Sequence, residues 1–93
     1  MQQQRRRIPV TVECIDRTAR QLQYRVMAYG RVIQVVRRQK SSIGDYPVYV
    51  SDRLRAGDGY PVEYLGLDEA KAHTRLWVEQ LITRMQAQGM RPA

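Results

Sequence analysis

A period-two alternation of apolar and polar residues begins at Ile8. Ile8, Val10, Val12 and Cys14 fall on one face and Pro9, Thr11 and Glu13 on the other, the pattern of a half-buried β-strand. Pro9 has no amide hydrogen to offer a neighbour, which suits an edge strand or the start of one. After a polar connection over 16–20, a second alternation sets Leu22, Tyr24, Val26 and Ala28 against Gln21, Gln23, Arg25 and Met27. It is expected to end at Tyr29-Gly30-Arg31, where glycine can supply a positive φ. Val32 to Arg38 then returns as a third strand rich in β-branched residues, which makes 21–39 a hairpin.

Residues 39–61 are less regular. Ser41, Ser42, Gly44, Asp45 and Pro47 break any pattern, Val48-Tyr49-Val50 suits a short strand, and Ala56-Gly57-Asp58-Gly59 is a second turn signal. Pro61-Val62-Glu63-Tyr64-Leu65 resumes a strand-like pattern, so the sheet has four or five strands. A helix follows, expected from about Glu69 to about Gln88. Asp68 is a suitable N-cap and Glu69 brings negative charge to the first turn. Ala70, Thr74, Trp77, Val78, Leu81, Ile82 and Met85 recur at spacings of three and four, while Gly89 suits the position after the helix and Pro92 lies beyond. Leu76 falls on the opposite face, either exposed or in contact with another chain. Strands in series followed by one amphipathic helix predict an α+β fold, with the helix across one face of an antiparallel sheet and the other face left to solvent or a ligand.

Length limits this to one domain. The chain has 93 residues, 43% of them hydrophobic, enough for a soluble globular core but not for two. The expected organisation is a flexible basic arm over 1–7, a domain over 8–89 and a tail over 90–93. No stretch approaches the roughly 20 apolar residues of a membrane span. The opening MQQQRRR has the charge of a signal-peptide n-region, but RIPVTVECIDR follows where a long apolar run belongs, so no signal peptide is expected. Cys14 is the single cysteine and has no internal partner for a disulfide, which makes the cytoplasm the default compartment.

Charge changes the picture more than composition does. The net charge is +7, and residues 1–40 hold ten basic side chains against two acidic ones, whereas the remainder holds six against seven. The excess is N-terminal, as expected of a surface that meets polyanions and releases their condensed counterions. Arginine outnumbers lysine fourteen to two, a bias that suits bidentate contact with phosphate or guanine or that reflects codon usage alone. The free face of the sheet would carry Gln21, Gln23, Arg25 and Met27 from the second strand. From the third it would carry either Arg31, Ile33, Val35 and Arg37 or Val32, Gln34, Val36 and Arg38. Arginine and glutamine fall on it in both registers.

The inventory for catalysis is thin. Cys14 shares the alternation of Ile8, Val10 and Val12 and is expected to be buried and inert. His73 stands four residues after Glu69, the spacing of a helix-surface ion pair. Two potential Cys/His ligands fall short of a structural zinc site, and Gly57-Asp58-Gly59 lacks the lysine and spacing of a phosphate loop. Neither an enzyme nor a cofactor or metal is expected. Trp77, on the apolar stripe, is expected to pack in the core against Tyr24 or Tyr64. Tyr46, Tyr49 and Tyr60 are the tyrosines best placed for base stacking.

The stretch YRVMAYGRVIQVVRR, followed later by VEYLGLDEAKAHTRLWVEQL, resembles the small DNA-binding domains of a three-stranded sheet and one helix found in AP2-like proteins and at the start of phage-type integrases. The resemblance covers roughly residues 22 to 84 and rests on the hairpin Tyr24 to Arg38 and the helix opening Asp68-Glu69-Ala70. Such domains insert the sheet into the major groove, so it implies DNA contacts from Arg25, Arg31, Gln34, Arg37 and Arg38. A sheet-and-helix module that stacks single-stranded bases on tyrosines fits the residues as well. The function expected is a non-enzymatic, cytoplasmic nucleic-acid-binding module of phage, plasmid or bacterial type, with DNA as the first ligand. Its contacts would come from Arg5, Arg6 and Arg7 of the arm, from Arg25, Arg31, Gln34, Arg37 and Arg38, and from Lys40. The alternative is a protein-interaction subunit or homodimer with no nucleic-acid role, joined through the sheet edge at 8–15 or through Leu76.

Overall fold

A computed structural model describes residues 7–18 and 22–89. Five strands, β1 (Val10–Asp16), β2 (Gln23–Ala28), β3 (Arg31–Lys40), β4 (Pro47–Arg55) and β5 (Pro61–Tyr64), precede one helix, α1 (Leu67–Ala87). All neighbours are antiparallel and the order is β1-β2-β3-β4-β5, a simple meander. The α+β class therefore holds, with five strands. Residues 39–61, irregular in sequence, contain the whole of the nine-residue β4.

The β2–β3 turn forms at the expected place. Tyr29 and Gly30 both have positive φ, 53° and 72°, the mark of the type I′ turn that matches strand twist in a two-residue hairpin. Ala28 pairs with Arg31 and Met27 with Val32, but Val26 then pairs with Gln34, so Ile33 is an extra residue in β3. This bulge reverses the facing of everything beyond it. Without it Gln34 would pair with Arg25 on the free face; with it Gln34, Val36 and Arg38 turn to the helix side and Val35 and Arg37 to the free side.

Helix α1 crosses the sheet closest to β1, β2 and β5. Ile8, Val10, Val26, Ala28, Val36 and Tyr64 meet Ala70 and Val78 in the core, and Trp77 and Ile82 pack against it half-buried. The helix starts at Leu67 rather than at about Glu69 as the capping pattern suggests. Gly66 is the N-cap, in an extended conformation and with no side-chain cap, so Asp68 is not the cap but lies with Glu69 in the first turn, beside the positive end of the helix dipole. Glu69 instead reaches back to the residue before the cap, accepting a hydrogen bond from the Leu65 amide at 3.2 Å. Gly89, with φ 76°, follows the helix as expected.

Two expectations about individual side chains fail. Cys14 is half-buried rather than buried, its thiol directed at the Asp16 carbonyl. His73 does not pair with Glu69; its Nδ1 meets the Tyr64 hydroxyl at 2.5 Å. The helix turns that face inward, where Tyr64 offers the better partner. At the far end of the sheet, the Glu63 carboxylate accepts hydrogen bonds from Ser42 Oγ (2.6 Å), Ser41 Oγ (2.8 Å) and the Ser42 amide (3.2 Å). These donors, Ser42 first, hold the Glu63 pKa below its ordinary 4.5.

Candidate nucleic-acid interface

Gln34 is removed from the candidate interface. Its side chain is fully buried, and its Nε2 donates to Thr74 Oγ1 at 2.8 Å and to the Tyr64 hydroxyl at 3.1 Å. A glutamine amide carries two protons on nitrogen, and both are used inside the core. The bulge at Ile33 is the cause, because it turns Gln34 away from the face on which the hairpin alone would place it.

The remaining residues of the set do not form one patch. Arg25 lies in the middle of the free face beside Glu13, with Nη2 3.4 Å from the carboxylate, so its charge is partly met within the protein. Its Nε is buried without a hydrogen-bond partner. Around it the free face alternates sign: Glu13 pairs across from Arg25, and Val50 stands between Arg37 and Glu63. It is a mixed surface with an apolar centre that includes Val35 and Val50.

Along β3 the arginines separate to two ends. Arg31 stands at the turn. Arg37, Arg38 and Lys40 occupy the opposite, exposed end of the strand, six to nine residues on, which at about 3.3 Å per residue is roughly 20–30 Å away. Arg31, Arg37 and Arg38 make no ion pair among the described residues. Arg37 faces the free side opposite Val50, and Arg38 the helix side opposite Tyr49, so the two guanidinium groups straddle the sheet. Arg38 also lines a shallow depression of about 320 Å³ with Tyr49, Leu65 and Asp68. Lys40 reaches Asp45 at 3.2 Å, but both side chains are largely exposed, and a pair of this kind contributes little and exchanges readily.

At the turn end, the sheet brings in residues that sequence reasoning passed over. Arg53 of β4 extends to the Val32 carbonyl at 3.4 Å, beside Arg31, and stands 3.6 Å from Asp52, whose other oxygen accepts the Val35 amide at 2.8 Å. No pattern around Arg53 marked it, since it lies in the half of the chain with no excess charge. Arg7 is exposed at the same end, because Val10 pairs with Ala28 beside the turn. Arg5 and Arg6 lie outside the described residues.

Of the tyrosines proposed for stacking, Tyr60 is 70% exposed and Tyr46 40%. Tyr49 instead packs edge-on against Tyr24, with ring centroids 5.8 Å apart. Among the described residues no three His, Cys, Asp or Glu side chains group as a metal site would require, and no helix is long and apolar enough to cross a membrane. Comparisons of the chain with protein-family models, with curated proteins and with solved structures found no match.

Proposed function

We propose that the protein binds nucleic acid, as a non-enzymatic module, by laying β3 along the polyanion. One observation carries this reading: Arg31 at one end of β3 and Arg37 and Arg38 at the other are cations with no carboxylate partner among the described residues, held apart by the length of the strand. All three side chains are exposed and free of ion pairs among the described residues, and so open to phosphate. A separation of about 20 Å corresponds to about six base-pair steps of duplex at 3.4 Å each, so a DNA duplex can meet Arg31 and Arg38, which share the helix side of the sheet, at once. Phosphate contact positions such a complex, and the two-sided disposition of Arg37 and Arg38 suits gripping a backbone rather than reading base edges.

The test is fluorescence anisotropy with a labelled duplex, single-stranded DNA and RNA at several salt concentrations. The expected result is duplex binding whose log K falls linearly with log salt. Absence of binding to all three at low salt rejects the reading, and binding to single strands alone would move the ligand to the exposed Tyr46 and Tyr60.

A further inference from the structure

We propose that the groove between the C-terminal half of α1 and the β2–β3 turn docks an acidic, amphipathic segment of a partner protein. The apolar stripe of the helix outruns the sheet that covers it. Ala70, Thr74 and Val78 are buried, whereas Trp77, Leu81 and Met85 continue the same stripe only half-covered. Together with Tyr29, Arg31 and Ile33 they line an open groove of about 570 Å³, within the size range of ligand-binding clefts. A tryptophan, a tyrosine and a methionine around one concavity are the residue types that anchor interfaces.

The turn points to the same place. Tyr29 is a bulky residue held at φ 53°, in a region where residues other than glycine and asparagine are disfavoured, and it is 60% exposed at the lip of the groove. Strain of this kind persists where a side chain has a use beyond the fold.

Charge selects the occupant. Among the described residues Arg31 is the one charged side chain lining the groove, and the chain carries +7 overall. A second copy would bring Arg31 and the same excess of positive charge against itself. The chain's own opening segment, MQQQRR, offers a single apolar side chain and two further cations. The described lining offers a nucleobase edge few polar groups, the Tyr29 hydroxyl, the Trp77 indole N–H and the Arg31 guanidinium, against a majority of aliphatic side chains. An acidic helix with apolar side chains at i, i+4 and i+7 satisfies both the lining and the charge.

Trp77 is the single tryptophan, so its emission reports the groove directly. The probe is a synthetic peptide of about fifteen residues, with leucines at i, i+4 and i+7 and glutamate or aspartate at most other positions. Controls are a scrambled peptide of the same composition and one with lysines in place of the acids. The expected result is saturable binding of the acidic amphipathic peptide with a blue shift of Trp77. Leu81→Asp and, independently, Met85→Gln weaken it about tenfold or more, while far-UV circular dichroism and the melting temperature show both variants folded. Equal binding of the scrambled peptide, or no shift of Trp77, overturns the proposal. A dimer dissolved by Leu81→Asp would assign the groove to a second copy. A Trp77 shift produced by an oligonucleotide and lost in the same variant would assign it to nucleic acid. Either of these also overturns it.

Discussion

At the scale of single residues, the core is organised around a polar contact. The Tyr64 hydroxyl accepts from Gln34, meets His73 on its outer side, and lies under a helix whose Thr74 takes the second Gln34 proton. Burial raises the Tyr64 pKa above 10.0, opposed by the Gln34 hydrogen bond and assisted by the nearby Glu69 charge. The folded chain thus holds the phenolic proton more tightly than the unfolded chain. Stability linked to Tyr64 is complete below the ordinary value of 10.0 and is lost as the pH rises through the folded pKa. Tyr64→Phe is expected to lower stability by about 1–3 kcal/mol at neutral pH, because it strands a buried Gln34 donor, and to flatten the alkaline decline. Urea midpoints from pH 7 to above pH 10 measure both; an unchanged midpoint at neutral pH would show that the hydroxyl network contributes nothing net. Glutamine at position 34 could be placed on either face by alternation alone, and hairpin counting favours the wrong one. Only the extra residue at Ile33 decides it.

At the scale of elements, the β2–β3 hairpin combines a favourable turn with an unfavourable occupant. Gly30 sits at φ 72° with open space where a Cβ would project, so Gly30→Ala is expected to destabilise by about 1 kcal/mol through backbone strain alone. Tyr29→Asn should do the opposite, raising stability by about 0.5–1 kcal/mol, because Asn-Gly is the preferred type I′ pair. Thermal melts of the two variants check the signs. A Tyr29→Asn protein that melts lower would mean that the ring packs more favourably than its 60% exposure implies. The helix shows the same division between local signal and context. Its stripe and its terminal glycine were plain in sequence, while its first residue depended on Gly66 and on Glu69 reaching back to Leu65.

At the scale of the whole molecule, the exposed arginines of β3 divide over two ends of one sheet. In sequence the arginines look like a block, because residues 1–40 carry all of the positive excess. In space β3 separates Arg31 from Arg37 and Arg38, while β4 returns Arg53 to the side of Arg31. Under the nucleic-acid reading, replacing Arg37 and Arg38 with alanine together should reduce the slope of log K against log salt by about 0.9 per lost phosphate contact. The melting temperature should stay nearly constant, since both side chains are exposed and unpaired among the described residues. An unchanged slope would exclude this end of β3 from phosphate contact. The same measurement on a protein with Arg5, Arg6 and Arg7 replaced by alanine apportions the remaining charge to the arm.

The sequence by itself determined the α+β class, the hairpin at Tyr29-Gly30, the long helix and the stripe that fixes its inward face, and the net charge. These follow from local periodicity and from turn chemistry, which act over a few neighbouring residues. Tertiary structure decided which candidate residues are available and where they meet. The bulge at Ile33 buried Gln34, the meander carried Arg53 beside Arg31, and the length of helix left uncovered by the sheet opened the groove at Trp77, Leu81 and Met85. Each of these depends on register or on the extent of one element relative to another, quantities set by pairing between distant parts of the chain and carried by no single stretch of it.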